Sequence, residues 1–86
     1  MEKSYLVVDV AGLHARPASL LVQVASKFPN EINIEYNGRK MTLKSIMAVM
    51  SLGVPSQETF KIEVLGEDCE TVFNELENVL IENSVI

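Results

Sequence analysis

The single histidine of this chain, His14, lies in the stretch Ala11-Gly12-Leu13-His14-Ala15-Arg16-Pro17-Ala18, where a strand-like apolar run hands over to an apolar repeat of helical spacing. A helix start carries unpaired N–H groups and a partial positive charge. An imidazole placed there that acquired a phosphoryl group would have its new negative charge held by backbone donors and by Arg16. The chemistry this pattern points to is therefore reversible phosphorylation of His14, with Arg16 stabilising the phosphate. Other imidazole chemistries need more than the sequence offers. Acid-base or nucleophilic catalysis requires a second reacting group, and metal binding requires further His, Cys or carboxylate ligands. Cys69 falls in the core stripe of a distant helix, and no glycine-rich nucleotide loop is visible. The expectation is a protein without cofactor or metal, and a carrier of phosphate rather than an enzyme.

The elements that must position His14 follow from periodicity. Tyr5 to Val10 is rich in β-branched and aromatic residues and reads as the first strand, with Leu6, Val8 and Val10 sharing one face. Gly12 loosens the turn. Ala18, Leu21, Val22, Ala25 and Phe28 then recur at helical spacing until Pro29 and Asn30, and Pro17 fits only the opening turn, where its missing N–H costs nothing. Ile32, Ile34 and Tyr36 alternate with Glu31, Asn33 and Glu35. Asn37-Gly38 follows, the residue pair a type I′ hairpin requires. A two-residue loop pairs Tyr36 with Arg39, Ile34 with Met41 and Ile32 with Leu43. Ser45 caps a short helix, Ile46 to Leu52, which Gly53 closes in a left-handed conformation. Phe60, Ile62 and Val64 mark a fourth strand within Thr59 to Leu65. A last helix from about Asp68 to Ile81 carries Cys69, Val72, Phe73, Leu76, Val79 and Leu80 along one stripe, with Asp68 and Glu70 near its positive end.

The element order is βαββαβα. Strands with one clean polar side require an antiparallel sheet open to water on one face and covered by all three helices on the other. The expected fold class is α+β, a two-layer open-faced β-sandwich with a four-stranded antiparallel sheet. Glu31, Glu35, Lys40, Lys61 and Glu63 are then the solvated sheet face, with no chemistry assigned to them.

Composition narrows the partners. The 86 residues are read as one domain spanning 1–86, with a formal net charge of −5 and one cysteine. Without a basic cluster or an aromatic stacking set, neither nucleic acid nor an anionic membrane is an expected direct partner. The N-terminus lacks the pattern of a signal peptide or membrane span, which leads to the expectation of a cytoplasmic protein. Protein partners remain. Leu20 falls beside Arg16, Gln23 and Lys27, away from the buried azimuth of the first helix, and is expected to be exposed. The second helix is apolar nearly all round, so Met47, close to Ser51 in azimuth, is expected to project outward with Met50 partly buried beside it. Leu20, Gln23, Lys27, Met47, Met50 and Ser51 together make a candidate docking patch beside the histidine.

Two motifs at this spacing, Gly12-Leu13-His14-Ala15-Arg16-Pro17-Ala18 and Leu43-Lys44-Ser45-Ile46-Met47 with Met50-Ser51-Leu52-Gly53-Val54, closely resemble those of the HPr family, the histidine-containing phosphocarriers of the bacterial sugar phosphotransferase system. The resemblance spans essentially the whole chain. It implies that His14 accepts a phosphoryl group through Nδ1 from phosphorylated enzyme I and passes it to the enzyme IIA domains of sugar permeases, with Arg16 as the phosphate-stabilising arginine. The wording Lys44-Ser45-Ile46-Met47 is similar to that of low-GC Gram-positive members. There it implies phosphorylation of Ser45 by HPr kinase/phosphorylase and a corepressor role with catabolite control protein A. Ser45 is thus both a helix cap and a regulatory candidate. Ala11, Ala48 and Pro55 depart from the family pattern without touching His14, Arg16 or Ser45. A purely regulatory paralogue lacks the histidine, so the presence of His14 favours the carrier. A carrier that offers one face in turn to several partners is expected to be a monomer.

Overall fold

A computed structural model describes residues 1–86. In chain order it contains strand β1 Glu2–Leu6, helix α1 Ala15–Ala25, strands β2 Ile32–Tyr36 and β3 Arg39–Thr42, helix α2 Ile46–Leu52, strand β4 Thr59–Val64 and helix α3 Cys69–Glu82. The four strands form one antiparallel sheet in the order β1-β4-β2-β3. The hairpin forms as its residue types require. Asn37 and Gly38 take φ of 54° and 80°, the register pairs Tyr36 with Arg39 and Ile34 with Met41, and the Leu43 N–H donates to the Ile32 carbonyl at 2.9 Å.

One face of the sheet is apolar and covered by the three helices. Phe60, Ile62 and Val64 of β4 are buried with Ile32 and Ile34 of β2, against Leu21 of α1, Val49 of α2 and Phe73 of α3. The opposite face is a lattice of charges in water. Lys61 lies 3.4 Å from both Glu2 and Glu35, Lys40 lies 3.3 Å from Glu63, and Asn33 donates to Glu63 at 3.1 Å. Hydrogen bonds to Glu2 and Glu35 raise the Lys61 pKa, and those from Asn33 and then Lys40 lower that of Glu63. The expected bland role for these charges is the one they have.

The first strand differs from its expected form. It covers Glu2–Leu6 rather than Tyr5 to Val10, and its apolar alternation has the opposite phase. Tyr5 and Val7 are buried, whereas Leu6 is 49 % and Val10 93 % exposed, with Val8 also on the surface. Every residue from Tyr5 to Val8 is apolar, so no polar marker sets the face. Pairing decides it: Tyr5 lies opposite Phe60, which points into the core, and Leu6 opposite Thr59, which points out.

The helices differ less. α1 stops at Ala25, and tighter turns from Lys27 to Val24 and Phe28 to Ala25 lead to Pro29, which disfavours helical geometry in the residue before it. Leu20 is half-buried rather than exposed, because α1 is flanked by α2 and α3 and its open side is narrower than that of a helix lying alone on a sheet. The Ser45 hydroxyl accepts from the Ala48 N–H at 3.2 Å, and Gly53 closes α2 at φ 59°. Asp68 precedes α3 in the left-handed region, with no side-chain bond to the helix, while Glu70 occupies the first turn.

Candidate functional site

His14 is the N-cap of α1, with extended backbone at φ −87° and ψ −177°. Its carbonyl accepts from the Ala18 N–H at 3.1 Å, which starts the helix. Pro17 has no N–H, and the N–H groups of Ala15 and Arg16 have no partner within the chain. The positive end of α1 therefore keeps two free donors beside the imidazole. The loop that delivers His14 is held from beneath, where the Leu13 N–H donates to the Val54 carbonyl at 2.9 Å.

The His14 side chain is 39 % exposed, so the ring is held and yet open to water. Arg16 is exposed and makes no ion pair with any carboxylate of the chain. Its guanidinium is available to an incoming anion, which a fork of N–H donors binds in bidentate fashion.

One residue of this site escaped the sequence reading. Asp9 Oδ1 accepts from the Ala11 N–H at 2.9 Å, and Asp9 Oδ2 lies 3.3 Å from His14 Nε2. Placing Asp9 inside a strand hid it. The available signal was an aspartate ahead of a glycine-containing turn, where its side chain takes a backbone N–H two residues on. A carboxylate only accepts, so the contact calls for a ring proton on Nε2, and in the neutral ring that places the lone pair on Nδ1.

On α2, Met47 is 84 % exposed, with Ile46 and Met50 also at the surface, and Val10 protrudes from the loop that precedes His14. Ser45 is half-buried at the start of α2, and the Lys44 ammonium donates to the Phe28 carbonyl at 2.7 Å. Gln23 and Ser51 are exposed. The Ser51 hydroxyl donates to the Ala48 carbonyl, and the Arg39 guanidinium donates to the Ser51 carbonyl at 3.1 Å, near the negative end of α2. Lys27 lies beyond the far end of α1, 3.5 Å from Glu75 of α3. A cavity of about 390 Å³ between Phe28, Asn30, Glu67 and Thr71 is also at that end and has no part in the histidine site.

An open-faced sandwich that presents one capping imidazole beside an unpaired guanidinium is an architecture suited to carrying a phosphoryl group on the ring. The family model described as the phosphorylation site of the HPr component of the phosphotransferase system matches residues 1–82. Among solved structures, the histidine-containing phosphocarrier protein of Mycoplasma is 35 % identical with a TM-score of 0.95, over 100 % of this chain and 98 % of that one. An HPr of Thermoanaerobacter tengcongensis is 43 % identical with a TM-score of 0.84, over 95 % of this chain and 91 % of that one. Crh of Bacillus subtilis, a catabolite repression protein solved as a domain-swapped dimer, is 36 % identical with a TM-score of 0.72, over 91 % of this chain and 90 % of that one. The chain belongs to the HPr family, the phosphocarrier component of the phosphotransferase system. No helix is long and apolar enough to cross a membrane.

Proposed function

We propose that His14 is the residue that carries the phosphoryl group, received on Nδ1 from phosphorylated enzyme I and delivered to enzyme IIA domains of sugar permeases. The observation that carries this reading is the half-exposed imidazole at the α1 start, beside two free N–H donors and a guanidinium without an ion pair. Phosphorylation at that point places negative charge where backbone dipole and side chain both favour it. The apolar surface of Met47, Met50 and the half-buried Leu20, with Gln23, Lys27 and Ser51, is the proposed docking face, used by a monomer in the cytoplasm. Incubation with enzyme I and labelled phosphoenolpyruvate is expected to leave acid-labile label on the chain and none on the His14→Ala variant. Acid-stable label, or label retained by that variant, would overturn the assignment.

We infer a regulatory role for Ser45 from its place at the border of the same face. A phosphate there would sit at the positive end of α2, which tolerates it, and would add roughly two negative charges beside Met47 and Met50. The reading is that HPr kinase/phosphorylase modifies Ser45, which weakens docking to enzyme I and favours catabolite control protein A. Likeness to Crh supports a link to catabolite repression. Isothermal titration of both forms against enzyme I is expected to show weaker binding of the phosphorylated one; equal affinities would remove the proposal.

A further inference from the structure

We propose that Asp9 is a positioning residue for phosphotransfer, one that sets which ring nitrogen of His14 is the nucleophile; this rests on His14 being the accepting residue. The two oxygens of Asp9 have separate tasks. Oδ1 is occupied by the Ala11 N–H at 2.9 Å, which fixes the carboxylate in its turn, and this leaves Oδ2 to face His14 Nε2 at 3.3 Å. The Asp9 side chain is only 20 % exposed, so its orientation is held and not averaged by solvent. An acceptor fixed on Nε2 selects the tautomer with the proton there. The Nδ1 lone pair is then the one free to attack.

The same carboxylate serves after transfer. As the Nδ1–P bond forms, the donor's bond to phosphorus breaks and its electron pair leaves with the donor. Nε2 keeps its proton throughout, so the ring becomes a phosphorylated imidazolium and no proton has to move. The positive charge that develops on the ring lies against Asp9 Oδ2, while the phosphoryl oxygens are carried on the other nitrogen. On delivery the Nδ1–P bond breaks, its electron pair returns to Nδ1, and the ring is again the neutral Nε2–H tautomer.

Asp9→Asn tests this without removing the turn. The Ala11 N–H needs an oxygen, so the asparagine amide oxygen stays on it and the NH₂ faces the ring, where it donates to Nε2 and moves the proton to Nδ1. In protein labelled with ¹⁵N-histidine, held above the ordinary imidazole pKa, two-bond proton–nitrogen spectra are expected to show Nε2 protonated in the parent chain. The Asp9→Asn variant is expected to shift toward protonated Nδ1. Its phosphoryl uptake from phosphorylated enzyme I is expected to fall by about tenfold or more, because a ring held in the wrong tautomer has no lone pair on Nδ1, with its thermal unfolding midpoint kept. Unchanged nitrogen assignment in the variant overturns the inference whatever the rate, because a slower rate alone is what a merely structural role gives. An inverted assignment with undiminished uptake also overturns it, and leaves His14 as the acceptor. Failure of the parent chain to take acid-labile label on His14 overturns the functional reading itself.

Discussion

Gly12 and Val54 touch through their backbones: a Cβ on Gly12 would stand 2.6 Å from the Val54 carbonyl oxygen, the same oxygen that accepts from Leu13. The histidine loop is thereby seated directly on the segment that leaves α2. With φ at 70°, Gly12 is also in the left-handed region that side chains rarely enter. Gly12→Ala is expected to cost about 1–3 kcal/mol in a denaturant titration, from backbone strain and forced separation of the two segments. It should slow phosphoryl uptake as His14 shifts. A variant of parental stability would mean that the contact relaxes freely.

Arg16→Ala isolates the cation. The side chain is exposed and unpaired, so stability is expected to stay within about 0.5 kcal/mol of the parent. Loss of a charge-assisted bond to phosphate, about 1.5–3 kcal/mol, predicts a transfer rate lower by roughly tenfold to a hundredfold. The paired readout is a melting curve and a rapid-quench time course, and an undiminished rate would remove Arg16 from the chemistry.

Met47→Asp tests the docking face. At 84 % exposure the side chain contributes little to the core, so the fold should tolerate the change within about 0.5 kcal/mol. A charge at the centre of an apolar contact is expected to weaken binding to enzyme I by tenfold or more, on the scale of about 1.4 kcal/mol per decade. Titration calorimetry showing parental affinity would place the contact surface elsewhere.

Tyr5 predicts an alkaline limb of stability. Its hydroxyl donates to Glu77 at 2.7 Å, and burial first, then that hydrogen bond and the Glu77 charge, push its pKa well above the ordinary value. A folded pKa raised above the unfolded one means that the stabilisation is complete below about pH 10, where the unfolded tyrosine begins to ionise, and is lost as pH rises further. Urea midpoints between pH 8 and pH 11 are expected to fall more steeply for the parent than for Tyr5→Phe. The phenylalanine variant itself should be about 1 kcal/mol less stable at neutral pH, from the lost hydrogen bond.

Much of the positioning frame was legible in the residues. Asn37-Gly38 accepts positive φ at both turn positions, and this locked the β2–β3 register, because a two-residue loop leaves no slack. Ser45 and Gly53 bounded α2 because each satisfies a backbone group that the helix end exposes. The outward direction of Met47 was legible as well, since a two-turn helix cannot bury all of its sides.

Local signals determined those features because each is settled within a few bonds of the residue concerned: the capping position of His14, the free first turn beside Arg16, the hairpin, and the apolar side of each later element. What the chain could not state was anything that depends on a distant partner. The inward face of β1 was chosen by Phe60 across the sheet, because an unbroken apolar run has no preferred side of its own. Half-burial of Leu20 came from α1 having a helix on either flank. The meeting of Asp9 with His14 required the early end of β1 and the seating of Gly12 on Val54, since only a folded loop turns a carboxylate back toward a ring five residues ahead of it.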